Sequence, residues 1–424
     1  MLDINLIRDE PDKVRAGMVK RGMDPAPVDE AVSLDARRRE LLVEVESLKA
    51  ERNTFSKEIP KIKDEKERQA KIEASRELGD RIKSLDDELR AVETGLNNIM
   101  AVIPNVPYDQ VIAGGEEDNE VIREVGEPPK FDFDPIPHWD LGPALGVIDF
   151  DAGVRITGSR FYVLSGAGAR LQRALIAWML DLHARQGYTE KYTPFIVREE
   201  TVFGAGQLPK FKDNLYKDYE EELYLLPTSE VSLTGMHMDE ILEEASLPRY
   251  YTAYSPCFRR EKMSAGRDVR GIKRGHQFDK VEMYKYCKPE DSDAELEKMV
   301  ADAEETCKLL DLPYRVLLKA AGDTSEAAHI SYDIEVWAAG CGEWLEVSSV
   351  SNVGSYQAIR ANIRYRPEGG GATRPVHTLN GSGLGLPRTL IAVLENNQQA
   401  DGSVLIPEVL HPWMGGITKI ERAA

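Results

Sequence analysis

The sequence predicts an α+β protein, in which an antiparallel two-helix coiled-coil arm precedes a domain built on an antiparallel β-sheet flanked by helices. Two observations carry this. Leu78, Ile82, Leu85, Leu89, Val92, Leu96 and Ile99 alternate spacings of four and three without a break, the a/d stripe of a coiled coil. Farther along, strand-like segments at 223–227, 250–258, 278–286, 332–338, 343–350 and 357–365 are mostly short and turn-bounded, as an antiparallel sheet requires.

The partner helix of the arm is read from Leu34, Leu41, Leu48 and Phe55, which recur every seven residues, with Val45 in one intervening d position. Arg38 and Arg52 occupy other d positions and leave that seam imperfect. Ile59-Pro60 ends the first helix, and the segment to about Asp64 is the reversal. Lys57, Lys61, Lys63, Lys66 and Arg68 cluster near the tip, diluted by Glu58, Asp64, Glu65 and Glu67. Such a mixed run fits a solvated face as well as a phosphate contact. Ile103-Pro104-Asn105-Val106-Pro107 closes the arm. The expected division is an arm domain over 1–110, an acidic, Gly- and Pro-containing linker over 111–137, and a second domain over 138–424. Early in that domain Leu171, Leu175, Trp178 and Leu182 lie at helical spacing, predicting a core-facing helix before the segment YTEKYTP (188–194).

Composition narrows the function. The 424 residues are 42% hydrophobic and 30% charged, with no apolar run long enough to span a bilayer, so no membrane partner is expected. The start, MLDINLIRDEPDKV, lacks the features of a secretory signal or transit peptide, and a cytoplasmic location is the expectation. A net charge of −19 argues against a general nucleic-acid binder while leaving room for one local basic patch. The cysteines, Cys257, Cys287, Cys307 and Cys341, form no CxxC pair and the histidines no HExxH, so no structural zinc is expected. GxGxxG and GxxxxGKS/T are absent, which leaves a Rossmann or P-loop nucleotide site unsupported.

The stretch FRREKMSAGRDVRGIKRGHQFDKVE (258–282) is the most informative. Arg259 can meet a phosphate bidentately, Glu261 and Glu282 can accept from N–H donors, and the Phe278 ring offers a face for an adenine. Each alone also fits a structural role, such as an Arg–Glu pair across a hairpin. Further motifs are GAGQLPKF (204–211), LPTSEVSLTG (226–235), LEVSSVSN (345–352) and HTLNGSGLGLPRTLIAVLENNQQADGSVLIPEVL (377–410).

In these motifs and their order the chain resembles bacterial-type seryl-tRNA synthetases, which are class II aminoacyl-tRNA synthetases, over essentially its whole length. The resemblance implies a class II catalytic domain that activates L-serine with ATP and Mg2+ to seryl-adenylate. It then transfers serine to the 3′ end of serine tRNA, and by the same resemblance of tRNA(Sec). It implies that Arg259 and Arg388 are the catalytic arginines of motifs 2 and 3, and that Glu346 with Ser349 holds the metal. Arg259, Arg260, Glu261, Phe278, Glu346, Val347, Ser348, Ser349 and Arg388 would contact ATP. Thr228, Ser229, Glu230, Arg259, Glu282, Asn380 and Ser382 would contact serine. The tip cations Lys57, Lys61, Lys63, Lys66 and Arg68 would grip tRNA, and the helix and strand ending at Pro194 would form a homodimer interface. The chain departs from the family pattern at Ala205, Ser229, Arg260, Lys262-Met263, Val350 and Ile359, none of which carries an assigned catalytic step. Two alternatives remain. A related amino acid:carrier-protein ligase would lack the long arm and bind zinc through a cysteine, where this chain has Val350 and Ser351. A non-catalytic paralogue would lack a motif arginine or the metal carboxylate.

Overall fold

The computed structural model describes residues 1–262 and 270–422. Met263 lies outside the described residues. The chain divides into two compact units, residues 2–106 and 107–424.

In the first unit, two short helices, Ile4–Asp9 and Pro11–Lys20, precede two long ones, α1 (Ala26–Glu58) and α2 (Glu65–Val102). The long helices are antiparallel, with cross-pairs Arg37–Glu88 at 2.6 Å, Glu44–Arg81 at 2.6 Å and Lys49–Asp86 at 3.0 Å. These pairs are solvated, so each adds at most about 1 kcal/mol. The seam of Leu41, Val45, Ile82, Leu89 and Leu96, all buried, does the holding. Asp64 starts α2 as an N-cap, its carboxylate accepting from the Glu67 N–H at 2.9 Å. At the base, Ile7, Val14 and Met18 of the short helices are buried. There Asp35, 2% exposed, receives Arg8 at 3.0 Å, Arg39 at 3.0 Å and Arg38 at 3.3 Å. Arg38, in a d position of the seam, is partly buried and pairs with this carboxylate.

In the second unit, eight strands among the described residues form the main sheet. They are β1 (Glu120–Val125), β2 (Thr189–Glu190), β3 (Arg249–Phe258), β4 (Gln277–Cys287), β5 (Tyr314–Leu318), β6 (Ile330–Ala338), β7 (Glu343–Gly354) and β8 (His377–Gly385). Their spatial order is β1-β5-β6-β7-β8-β4-β3-β2, antiparallel except where β2 runs parallel to β3. Helices α3 (Gly166–Arg185), α5 (Ser292–Leu309) and α7 (Leu386–Asn396) contribute to one continuous apolar core with this sheet, and α4 (Ser229–Gly235) carries the TSE motif. Leu171, Leu175, Trp178 and Leu182 of α3 are all buried in that core.

Two expectations are corrected. The segment 111–137, expected as a linker, contributes edge strand β1, paired from Glu120↔Leu318 to Val125↔Tyr314. Its charges mark it as a solvated edge, which composition alone renders indistinguishable from a linker. The segment 357–365, expected as a strand, is the helical turn α6 (Tyr356–Arg360) followed by a short strand, Arg364–Arg366. Gly354 has a φ of +58°, and a Cβ there would stand 2.4 Å from the His329 ring, so the chain turns out of β7 at that point.

Candidate active site

A cavity of about 330 Å³ opens over the sheet. Its floor is β4, where Phe278, Lys280 and Glu282 alternate onto the cavity side while Val281 and Met283 enter the core. On β7 a regular pleat would put Glu346 and Ser349 on opposite faces. The pairing instead slips from Ile334↔Ser348 to Glu335↔Glu346, leaving Val347 as an extra residue, and both polar side chains line the cavity. A second slip, between Ser382 and Leu384 on β8, lets Asn380, Ser382 and Gly385 all face the same space.

At one end, Thr228 caps α4 and donates its hydroxyl to Glu282 at 2.9 Å, and Lys280 pairs with the same carboxylate. Glu230 accepts from Gln357 at 2.6 Å and from Asn380 at 3.1 Å. Burial, reinforced by the Glu282 charge, pushes the Glu230 carboxyl up to about 7. This end is small, polar and acidic. Across the strand, Arg259 sits over the Phe278 ring at 5.0 Å and donates to the Pro227 carbonyl at 3.2 Å. Glu261, with a left-handed φ of +50°, faces Arg274 at 3.6 Å. Arg388, two residues into α7, donates to the Glu346 carbonyl at 2.7 Å and stands 3.5 Å from its carboxylate. Against desolvation in the cleft, Arg388, Lys319, Arg259 and Arg274 hold Glu346 below the usual carboxylate range. Buried Asp333 behind it is pushed up to about 7 by burial and the Glu346 charge, although Lys319 donates to it at 2.8 Å.

Of the residues expected here, Glu230, Arg259, Glu261, Phe278, Glu282, Glu346, Val347, Ser349, Asn380, Ser382 and Arg388 line the one cavity. Thr228 stands behind Glu282. The side chains of Ser229, Arg260 and Ser348 are turned away. Ser229 bonds Ser255 at 2.6 Å, and Ser348 donates to the Ser382 carbonyl at 2.6 Å. Arg260 donates to the Leu215 carbonyl at 2.8 Å and stacks on Tyr216. Sequence reasoning missed Lys280, Gln357, Asp333, Lys273 and Arg274. Strand alternation from Phe278 to Glu282 signals Lys280, and the charge inside ISYDIEVW signals Asp333, whereas nothing local marks Gln357. The tip cations Lys57, Lys61, Lys63, Lys66 and Arg68 are exposed on the arm, Arg68 paired with Glu65 at 2.7 Å.

The chain is similar to known proteins along its whole length. Residues 1–107 match the family described as seryl-tRNA synthetase N-terminal domain, and residues 210–397 match the tRNA synthetase class II core domain (G, H, P, S and T). The chain is 62% identical over 423 residues to a serine–tRNA ligase of Roseiflexus sp. (strain RS-1), covering 100% of both. It is 57% identical over 421 residues to one of Chloroflexus aurantiacus, covering 99% of this chain and 100% of that one. A crystal structure of seryl-tRNA synthetase from Pyrococcus horikoshii complexed with ATP superposes with a TM-score of 0.95 at 37% identity, covering 100% of both chains.

Proposed function

Because the chain belongs to the seryl-tRNA synthetase family, we propose that each end of the cavity serves one of the two substrates of a serine–tRNA ligase. The enzyme activates L-serine with ATP and transfers it to serine tRNA. The serine carboxylate oxygen attacks the α-phosphorus, the α–β anhydride bond breaks, and pyrophosphate leaves with the bonding electrons. The terminal ribose hydroxyl of tRNA then attacks the acyl carbon, losing its proton as AMP departs. No side chain acts as a nucleophile.

One strand supports this assignment most directly: β4 sets the Phe278 ring, Lys280 and the Glu282 carboxylate on one face, roughly 13 Å from end to end. The Phe278 face opposite Arg259 receives adenine, and Glu261 accepts from its amino group. Arg259 bridges the carboxylate and α-phosphate, whose mutual repulsion is the chief obstacle to attack. Arg388 meets the outer phosphates at the start of α7. Glu230, Asn380, Thr228, Glu282 and Ser382 hold the serine ammonium and hydroxyl. An ionised carboxylate and a hydroxyl are hard oxygen donors that fit magnesium, so Glu346 and Ser349 would hold that ion, which supplies positive charge beside the phosphates. The tip cations contact the phosphate backbone of serine tRNA, and of tRNA(Sec). The α3–Pro194 region pairs two copies, and the compartment is the cytoplasm.

Amino-acid-dependent pyrophosphate exchange tests the serine end. Alanine leaves Glu282 and its neighbours without a hydroxyl partner, so kcat/KM for serine is expected to exceed that for alanine by about 10³-fold or more. Comparable values would overturn the assignment. The same assay reads Glu230. Burial pushes its carboxyl up to about 7, so the group is protonated below that pH and ionised above it. Since only the ionised form attracts the ammonium, KM for serine is expected to rise up to about tenfold per unit as pH falls below that value, and to be flat above it. A Glu230→Gln variant should lose this dependence.

A further inference from the structure

We propose that His138, held by Glu395 and Cys341, is a positioning residue that anchors the returning limb of the loop after Arg259, and thereby places Lys273 and Arg274 in the ATP cavity. The inference rests on the reading that this cavity binds ATP.

The side chains of His138 and Glu395 are fully buried, and Cys341 is half-buried against them. Their hydrogen-bond roles can be assigned from the surroundings. The Ile272 N–H donates to His138 Nε2 at 3.1 Å, so that nitrogen carries no proton and Nδ1 does. Nδ1 donates to Glu395 Oε1 at 2.8 Å, and the His138 backbone N–H reaches the same oxygen at 2.8 Å. Cys341 adds two donors, its N–H to Oε2 at 2.8 Å and its thiol to Oε1 at 3.1 Å. Both oxygens of this buried carboxylate therefore accept, Oε1 from three donors and Oε2 from one, and the imidazole is held in one tautomer and one orientation.

The remaining ring nitrogen points at the loop. Gly271 has a φ of +75°, and a Cβ there would stand 2.0 Å from His138 Nε2, so the backbone lies flush on the ring. Trp139 receives the Arg270 guanidinium at 4.8 Å and the Lys273 ammonium at 5.9 Å. Lys273, paired with Glu343, and Arg274 both line the cavity. Glu395 sits about two turns after Arg388 on α7, on nearly the same helical face. One rigid helix therefore presents an arginine to the phosphates at its start and fixes the opposite wall near its end. The three ligand atoms lie within 4.8 Å of one another, a spacing a metal ion could also use. Nε2 is occupied by the Ile272 N–H and Nδ1 carries a proton toward Glu395, so neither ring nitrogen is open to an ion, which favours the anchor.

The test is serine-dependent pyrophosphate exchange on the full chain, with KM for ATP and for serine measured separately. Exchange by the wild-type protein secures the reading of the cavity, so the variants then test the anchor alone. His138→Asn keeps a donor for Glu395 but loses the acceptor for Ile272, whereas His138→Gln offers an acceptor where Nε2 stood. His138→Asn is expected to raise KM for ATP about fivefold with KM for serine within about twofold, and His138→Gln to recover most of that loss. Unchanged KM for ATP in His138→Asn, equal losses for both substrates, or one zinc ion per purified wild-type chain would each overturn the proposal. Should His138→Asn not fold, deuterium exchange at the Ile272 amide of the wild-type protein decides: slow exchange is expected, and exchange at the rate of an open amide would overturn the anchor.

Discussion

Glu346→Gln is expected to leave the protein folded and to lower serine-dependent pyrophosphate exchange by about 10²–10³-fold at saturating magnesium. The residue faces the cavity and is not part of the core, so the fold does not depend on its charge. Its value to the reaction does. Arg388 and the other cations hold it ionised against desolvation, and the slip at Val347 aims it to the same side as Ser349. An amide of the same shape keeps the packing but offers a neutral, weaker oxygen to magnesium. Circular dichroism and melting should match the wild type, so that the loss of exchange reports the site and not the fold. Wild-type exchange in the variant would remove Glu346 from the metal's surroundings.

Shortening the arm is expected to separate the two half-reactions. Glu44 and Arg81 face each other across the hairpin at 2.6 Å, so residues 47–78 can be removed and the ends joined by a short Gly/Ser turn. Leu41, Val45, Ile82, Leu89 and Leu96 keep the remaining seam buried. The deletion takes away Lys57, Lys61, Lys63, Lys66 and Arg68 and nothing that lines the cavity. Pyrophosphate exchange should stay within about twofold of wild type, whereas kcat/KM for tRNA should fall roughly hundredfold or more, with a weaker dependence on salt. Undiminished charging would make the arm a spacer and misplace the tRNA contact.

What the sequence made legible was the part encoded by local period. The a/d stripe from Leu78 to Ile99, the reversal after Pro60, the inward face of α3 and the strand over Phe278 and Glu282 follow from neighbours a few residues apart. The bulges did not show themselves. Glu346 and Ser349 could be placed together only by resemblance, because a regular strand would have separated them. Segment 357–365 was misread for a related reason. Gln357 is buried because it bonds Glu230, Tyr284 and Thr378, partners distant in sequence that periodicity does not see. The cluster of His138 with Cys341 and Glu395 joins residues 203 and 257 apart, and no motif announces it.

Whether this one cavity turns serine and ATP into an ester on tRNA is decided by charging purified serine tRNA with the unshortened chain. With ATP, magnesium and labelled serine, label is expected on the 3′-terminal ribose, released by mild base and absent when serine is replaced by alanine. Exchange without any such ester, or label passed to a carrier protein's phosphopantetheine thiol in its place, would contradict it.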